Sequence, residues 1–237
     1  MDPTILIFDS AQEAAEACGD RILAILDEAR RARGVATLAV SGGSTPRLMF
    51  QSMARRSFDW TGVQIYQVDE RCVPPDDEQS NFRMIRESLL SKVRINDVQF
   101  HRVAGELPPD EAARNYVDDI RGSMKLPAGE LPVFDVIQRG MGPDGHTASL
   151  FPGEPLISDR VGIAAAVWVE KMRQHRVTLL RGVLEKARHT LCLTTGAEKA
   201  TALHAVLRGA FDPMQTPSQI ASPDTAWYVD KDAAGRV

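Results

Sequence analysis

Short apolar runs separated by helix-forming segments recur along this chain, and that alternation constrains its fold more than any other feature. Residues 5–8, 35–40, 63–68, 133–137, 162–169, 176–179 and 190–195 read as strands, with helical spacing in most of the intervals. A continuous apolar run such as 35–40 suits a strand covered on both faces, the usual condition of parallel strands joined by crossover helices. The pattern therefore predicts an α/β fold with a mainly parallel, Rossmann-like sheet, helices on both faces, right-handed crossovers and room for a small extra β-element. The first helix is well marked. Ser10 and Glu13 form a capping box, Ala11, Ala14, Cys18, Ile22, Ile25 and Ala29 recur at helical spacing, and Gly34 ends the run.

At 237 residues and 43% hydrophobic, the chain can bury a substantial core, and residues 1–237 read as one α/β domain. A net charge of -4 leaves no basic footprint, which argues against a nucleic-acid partner. No run approaches the ~18 to 20 apolar residues that span a bilayer, so no membrane partner is expected. Residues 1–8 lack the basic start and apolar core of a secretory signal. Cys18, Cys72 and Cys192 are odd in number and widely spaced, which fits a reduced cytoplasm. Cys72, beside Arg71 but with no histidine near in sequence, reads as a passive loop cysteine. Residues 108–109, 127–132 and 212–223 read as surface loops, and Trp168, Trp227 and Tyr228, in strand-like runs, as core.

Three segments carry candidate chemistry. In GMGPDGHTASLFPG, residues 140–153, Asp144 and His146 share a glycine-rich turn at a strand's end. Histidine titrates near working pH, and a neighbouring carboxylate sets its tautomer and raises its basicity, which makes His146 the candidate catalytic base. Single histidines are more often structural, but loops at strand ends are where sites are built. The match to GxGxxG is weak, because Asp144 would place a negative charge where a dinucleotide pyrophosphate sits. Asp144 and His146 supply only two metal ligands, with no HExxH or cysteine pair, so no metal is expected.

The second segment, TLAVSGGSTPRLMF, runs from residue 37 to 50. Gly42, Gly43, Ser44 and Thr45 form a small polar turn, Thr45 suits a helix N-cap, and Pro46 suits the first helical position. Exposed amides beside the positive end of a helix make an anion pocket, with phosphate the expected anion; an ordinary strand-to-helix turn uses the same residue types. In the third, residues 63–84, a strand ends at Asp69, Glu70 and Arg71, and Ser80 or Asn81 can cap the next helix. Asp69 and Glu70 read either as pocket lining or as structural ion-pair partners.

Taken together, SGGSTP, DERCVPPDD followed by Ser80 and Asn81, and GMGPDGHTASLFPG resemble the motifs of the 6-phosphogluconolactonase family, in order and at compatible spacing. RVTL at 176–179, TGAEKA at 195–200 and WYVD at 227–230 extend the resemblance over nearly the whole chain. The resemblance implies the fold shared with glucosamine-6-phosphate deaminase and ribose-5-phosphate isomerase. It also implies hydrolysis of 6-phosphogluconolactone, a step of the oxidative pentose phosphate pathway, without metal or organic cofactor, and a small sugar-phosphate as partner, in a monomer or weak homodimer. It adds Arg176 and Lys199 to Gly42, Gly43, Ser44, Thr45, Asp69 and Arg71 as substrate- and phosphate-binding residues.

Gln138 and Arg139 depart from the family, standing where relatives carry apolar residues and altering the expected wall of the site. Residues 217–222 follow its late proline and serine pattern only loosely. The related deaminase motif continues after DGH with phenylalanine, asparagine and glutamate. Here Ser149, Leu150 and Phe151 follow, and Glu154 comes three positions too late. A non-catalytic sugar-phosphate binder on this fold would have little need of the Asp144 and His146 pair. The expected chemistry is water activated by His146, oriented by Asp144 or another acid, with Arg71 or the amides of residues 140–142 stabilising the developing oxyanion.

Overall fold

In the computed structural model, which describes residues 4–237, strands and helices alternate as β1 (Thr4–Phe8), α1 (Ala11–Arg33), β2 (Ala36–Val40), α2 (Ser44–Arg55), β3 (Val63–Gln67), β4 (Asp69–Arg71), α3 (Asn81–Ser88), β5 (Phe100–His101), α4 (Pro109–Ser123), β6 (Val136–Arg139), β7 (Ala164–Val169), β8 (Gln174–Leu179), α5 (Arg181–Lys186), β9 (His189–Thr194), α6 (Ala200–Arg208) and β10 (Thr225–Asp230). Residues 1–3, the start of the stretch read for a secretory signal, lie outside the described residues. Seven strands form one sheet in the order β1-β10-β9-β6-β2-β3-β5, every pair parallel.

Successive side chains of a strand point to opposite faces, and the central strands supply two cores in that way. Leu38 and Val40 of β2, Ile65 of β3 and Val136 of β6 join one cluster with α1, α2 and α3. Their neighbours Ala39, Tyr66 and Ile137 join a second cluster on the other face, with α4 and α5. That second face is only partly helical. β4, β8 and β7 make a small antiparallel sheet that lays Val177 and Leu179 into the same core. The runs at 162–169 and 176–179 are thus the two arms of this hairpin, the small extra β-element beside the parallel sheet. Apolar periodicity reports which faces are buried but not which partner a strand finds.

Local differences have local causes. Ser10 caps α1 by accepting from the Glu13 amide at 3.2 Å, but the Glu13 carboxylate takes the Asp9 amide instead of closing the box on Ser10. Helix α2 begins at Ser44, with Gly43 as N-cap at φ 120°, a conformation favouring glycine. Thr45 is not the cap, because its hydroxyl is bonded to that of Thr195 at 2.8 Å. β6 opens at Val136, three residues later than the apolar run, and extends through Gln138 and Arg139. Trp168 is 45% exposed with its indole N–H donating to Glu170, whereas Trp227 and Tyr228 are buried. Residues 212–223 are not wholly a surface loop, since Ser218, Ile220 and Ser222 are buried. Among the described residues no helix is long and apolar enough to cross a membrane.

Candidate active site

Parallel strands release their loops from one edge of the sheet, and here those loops enclose a cleft of about 500 Å³. Gly42, Gly43, Ser44 and Thr45 after β2, Asp69 and Arg71 of β4, His146 after β6, Arg176 of β8 and Lys199 after β9 all line it. Asp144 stands behind His146, outside the lining.

Two glycines mark where the loops approach most closely. A Cβ on Gly42 would lie 1.9 Å from the Asn81 amide oxygen, and one on Gly142 would lie 2.0 Å from His146 Nδ1. Asn81 is itself fixed by its Nδ2 donating to the Asp69 carbonyl at 2.9 Å. The glycines of both motifs therefore serve close packing of a cleft-lining side chain on backbone.

The Asp144 carboxylate accepts from His146 Nδ1 at 2.5 Å and from the Lys171 ammonium at 3.3 Å. Burial alone would raise the Asp144 carboxyl, but the His146 hydrogen bonds and charge, with Lys171, outweigh it and hold it at about 2. Burial pulls His146 below the ordinary histidine value, against the opposing pull of Asp144 and Asp69 and helped by Arg176. At neutral pH the imidazole is therefore uncharged. With Nδ1–H given to Asp144, the lone pair sits on Nε2. The Phe151 ring stacks on the imidazole with centroids 4.0 Å apart, and Arg176 lies over the same ring at 5.8 Å.

Arg71 and Arg176 face each other directly across the β4–β8 ladder. Like charges in that position are destabilising, and the Nε atoms of both are buried without a protein partner. Such a pair is suited to an anion between or above it. Helix α2 adds a first turn that no side chain caps, leaving its amides to an anion as well.

Asp69 and Glu70 part company. Asp69 lines the cleft and accepts from the Ser149 hydroxyl at 2.8 Å. Glu70, 2% exposed, faces inward, accepting from the backbone of Arg71 (2.7 Å), Asn81 (2.8 Å) and Phe82 (2.7 Å) and from Gln67 Nε2 (2.8 Å). It is a scaffold for the neighbours that line the cleft. Gln138 and Arg139 also point away from the cleft, which corrects their expected place in its wall. The Gln138 carbonyl and side-chain oxygens accept from the Ser41 amide, and Arg139 donates to the Ile220 carbonyl. Burial, with Glu70, pushes the Cys72 thiol up to about 11, so it is not activated.

Several lining residues escaped the sequence reading. Thr194, Thr195, Gly196 and Asp230 complete the wall beside Lys199, and the Asp230 carboxylate accepts from the Gly196 amide at 3.0 Å. Their signal was present in TGAEKA and WYVD. Asn81 was read only as a possible cap, a position that Ser80 takes by accepting from the Arg83 amide. Among the described residues no three histidine, cysteine or acidic side chains gather as a metal site.

Fold and cleft define an α/β protein whose carboxyl-edge loops present cations and an acid–histidine pair. The chain belongs to the family of glucosamine-6-phosphate isomerases and 6-phosphogluconolactonases, whose model matches residues 9–229. The 6-phosphogluconolactonase of Treponema pallidum is 36% identical over 222 residues, covering 92% of this chain and 88% of the relative. The crystal structure of the Thermotoga maritima 6-phosphogluconolactonase superposes with a TM-score of 0.84 at 26% identity, covering 97% of this chain and all of that one. A monomeric glucosamine-6-phosphate deaminase shares the fold, with a TM-score of 0.85 at 16% identity over 99% of this chain and 100% of its own.

Replacing Glu70 with Ala would leave three backbone N–H groups buried without their acceptor. The expected cost is about 3 kcal/mol of stability, read as a lower midpoint in denaturant unfolding. A midpoint unchanged from wild type would show that Glu70 does not hold the β4–α3 segment.

Proposed function

We propose that the chain hydrolyses 6-phospho-D-glucono-1,5-lactone to 6-phosphogluconate, with His146 as general base. One observation carries the reading: an imidazole held neutral by burial, its Nδ1 engaged by an ionised Asp144, lines the same cleft as the facing cations Arg71 and Arg176. The phosphate is met by the Gly42, Gly43, Ser44 and Thr45 turn together with Arg71, Arg176 and Lys199, whose amides and hydroxyls fix geometry while the cations supply charge.

His146 Nε2 takes a proton from water as the water oxygen bonds to the lactone carbonyl carbon. Negative charge collects on the carbonyl oxygen, where Arg71 or an amide of residues 140–142 donates to it. Collapse of this tetrahedral species breaks the bond to the ring oxygen, which takes the proton back from the imidazolium and leaves as a hydroxyl. The carboxylic acid so formed ionises in water. Asp144 remains a carboxylate throughout, stabilising the imidazolium formed midway.

Replacing His146 with Ala is expected to lower kcat on freshly generated lactone by about 10³-fold above the spontaneous background. A folded variant with wild-type kcat would remove His146 from the base role. Lys199→Ala is expected to raise KM about tenfold at nearly constant kcat, as loss of a contact made equally to substrate and transition state. Unchanged KM would place the phosphate elsewhere in the cleft.

A further inference from the structure

The loop between α6 and β10 contributes nothing to the cleft lining, yet it grips the turn that carries His146 from behind. Ser218, 1% exposed, donates its hydroxyl to the His146 carbonyl at 3.0 Å and its amide to the Gly145 carbonyl at 2.9 Å. Within the turn, Gly142 N–H donates to the same His146 carbonyl at 2.9 Å, Gly145 N–H to the Gly142 carbonyl at 3.0 Å, and the Thr147 hydroxyl to the Gly140 carbonyl at 2.9 Å. Gly145 sits at φ 81°, which glycine adopts readily, and Ala148 at φ 52°, which is uncommon for a residue carrying a Cβ.

The gripping loop is in turn fixed to the strand from which the turn departs. Arg139, the last residue of β6, reaches across to donate to the Ile220 carbonyl, two residues beyond Ser218. The strand end, the loop and the turn thus close into a bracket: Arg139 holds Ile220, and Ser218 holds Gly145 and His146. The bracket holds the backbone from which the imidazole projects, and the Asp144 carboxylate holds the ring itself at Nδ1.

We propose that Ser218 is a positioning residue for His146, fixing the imidazole through two hydrogen bonds to the carbonyls of its turn. The proposal rests on the lactonase reading for its kinetic consequence, though the geometry it describes does not depend on the substrate. Loss of the hydroxyl leaves the Ser218 amide in place but frees one side of the His146 peptide. A displacement near 1 Å of a catalytic group costs on the order of a hundredfold in rate, and partial loosening less.

The test compares Ser218→Ala with Ser222→Ala in the whole chain. Ser222 is a buried serine of the same loop whose hydroxyl pairs with that of Thr190 at 2.9 Å and donates to the Asp224 carbonyl at 3.2 Å, both away from the turn. Lactone hydrolysis and the ¹⁵N imidazole resonances of His146 are measured for both beside wild type. Ser218→Ala is expected to lose about tenfold in kcat with KM within about twofold, and to shift the His146 resonances; Ser222→Ala is expected to change neither. Equal kcat in the two variants, or His146 resonances unmoved by Ser218→Ala, overturns the proposal. If Ser218→Ala does not fold, Ser218→Cys keeps the volume while weakening the donor, with the same expected direction. A wild type inactive on the lactone but with His146 resonances shifted by Ser218→Ala would remove the lactonase reading and leave the positioning role standing.

Discussion

Parallel pairing of β2 with β3 on one side and β6 on the other forces the loops leaving these strands to emerge from a single edge. Every functional feature of the chain depends on this constraint. The turn at Gly42, the β4 segment at Asp69 and Arg71, and the turn at His146 are distant in sequence but adjacent on that edge. With β9 next to β6, the Thr195–Gly196 turn and Lys199 join them. The sheet decides which loops meet, and close packing decides how tightly. Hydrogen at Gly42 admits the Asn81 amide, and hydrogen at Gly142 admits the His146 ring.

Burial within this edge sets the charges apart by role. Arg71 and Arg176 face each other across the β4–β8 ladder, an arrangement of like charges that a bound anion would relieve. His146 is driven the other way, losing its proton to burial although two carboxylates oppose the loss. Asp144 keeps its charge down to about pH 2. The cleft therefore holds facing cations beside an uncharged imidazole, the two features that the proposed reading assigns to the phosphate and to water.

Much of this was legible in the sequence because it is written locally. Glycine-rich turns at strand ends, the Asp144 and His146 pair and the strand–helix alternation all leave marks within a few residues. What was missed is held by contacts between distant segments. Residues 162–169 and 176–179 read as strands without a direction, because alternation of apolar residues is silent about it, and the structure pairs them as the antiparallel β7–β8 hairpin. Thr45 has the chemistry of an N-cap, but its hydroxyl was claimed by Thr195, 150 residues away. Gln138 and Arg139 looked like a changed cleft wall, whereas both turn inward to hold backbone of neighbouring loops. β5 is two residues long and has no periodicity to detect. Ser218 acts through hydrogen bonds to a turn 72 residues away in the chain, and no spacing rule points to it.

The protonation state and tautomer of His146 bear most directly on this account. A ¹⁵N-histidine NMR titration of the wild-type protein reads both at once. The expected result is a His146 imidazole titrating below 6.5, with the proton on Nδ1 and a lone pair on Nε2 at neutral pH. Below that transition the ring carries both protons and cannot act as a base. A His146 that titrates above 6.5, or that holds its neutral-form proton on Nε2, would contradict the assignment of a poised base oriented by Asp144.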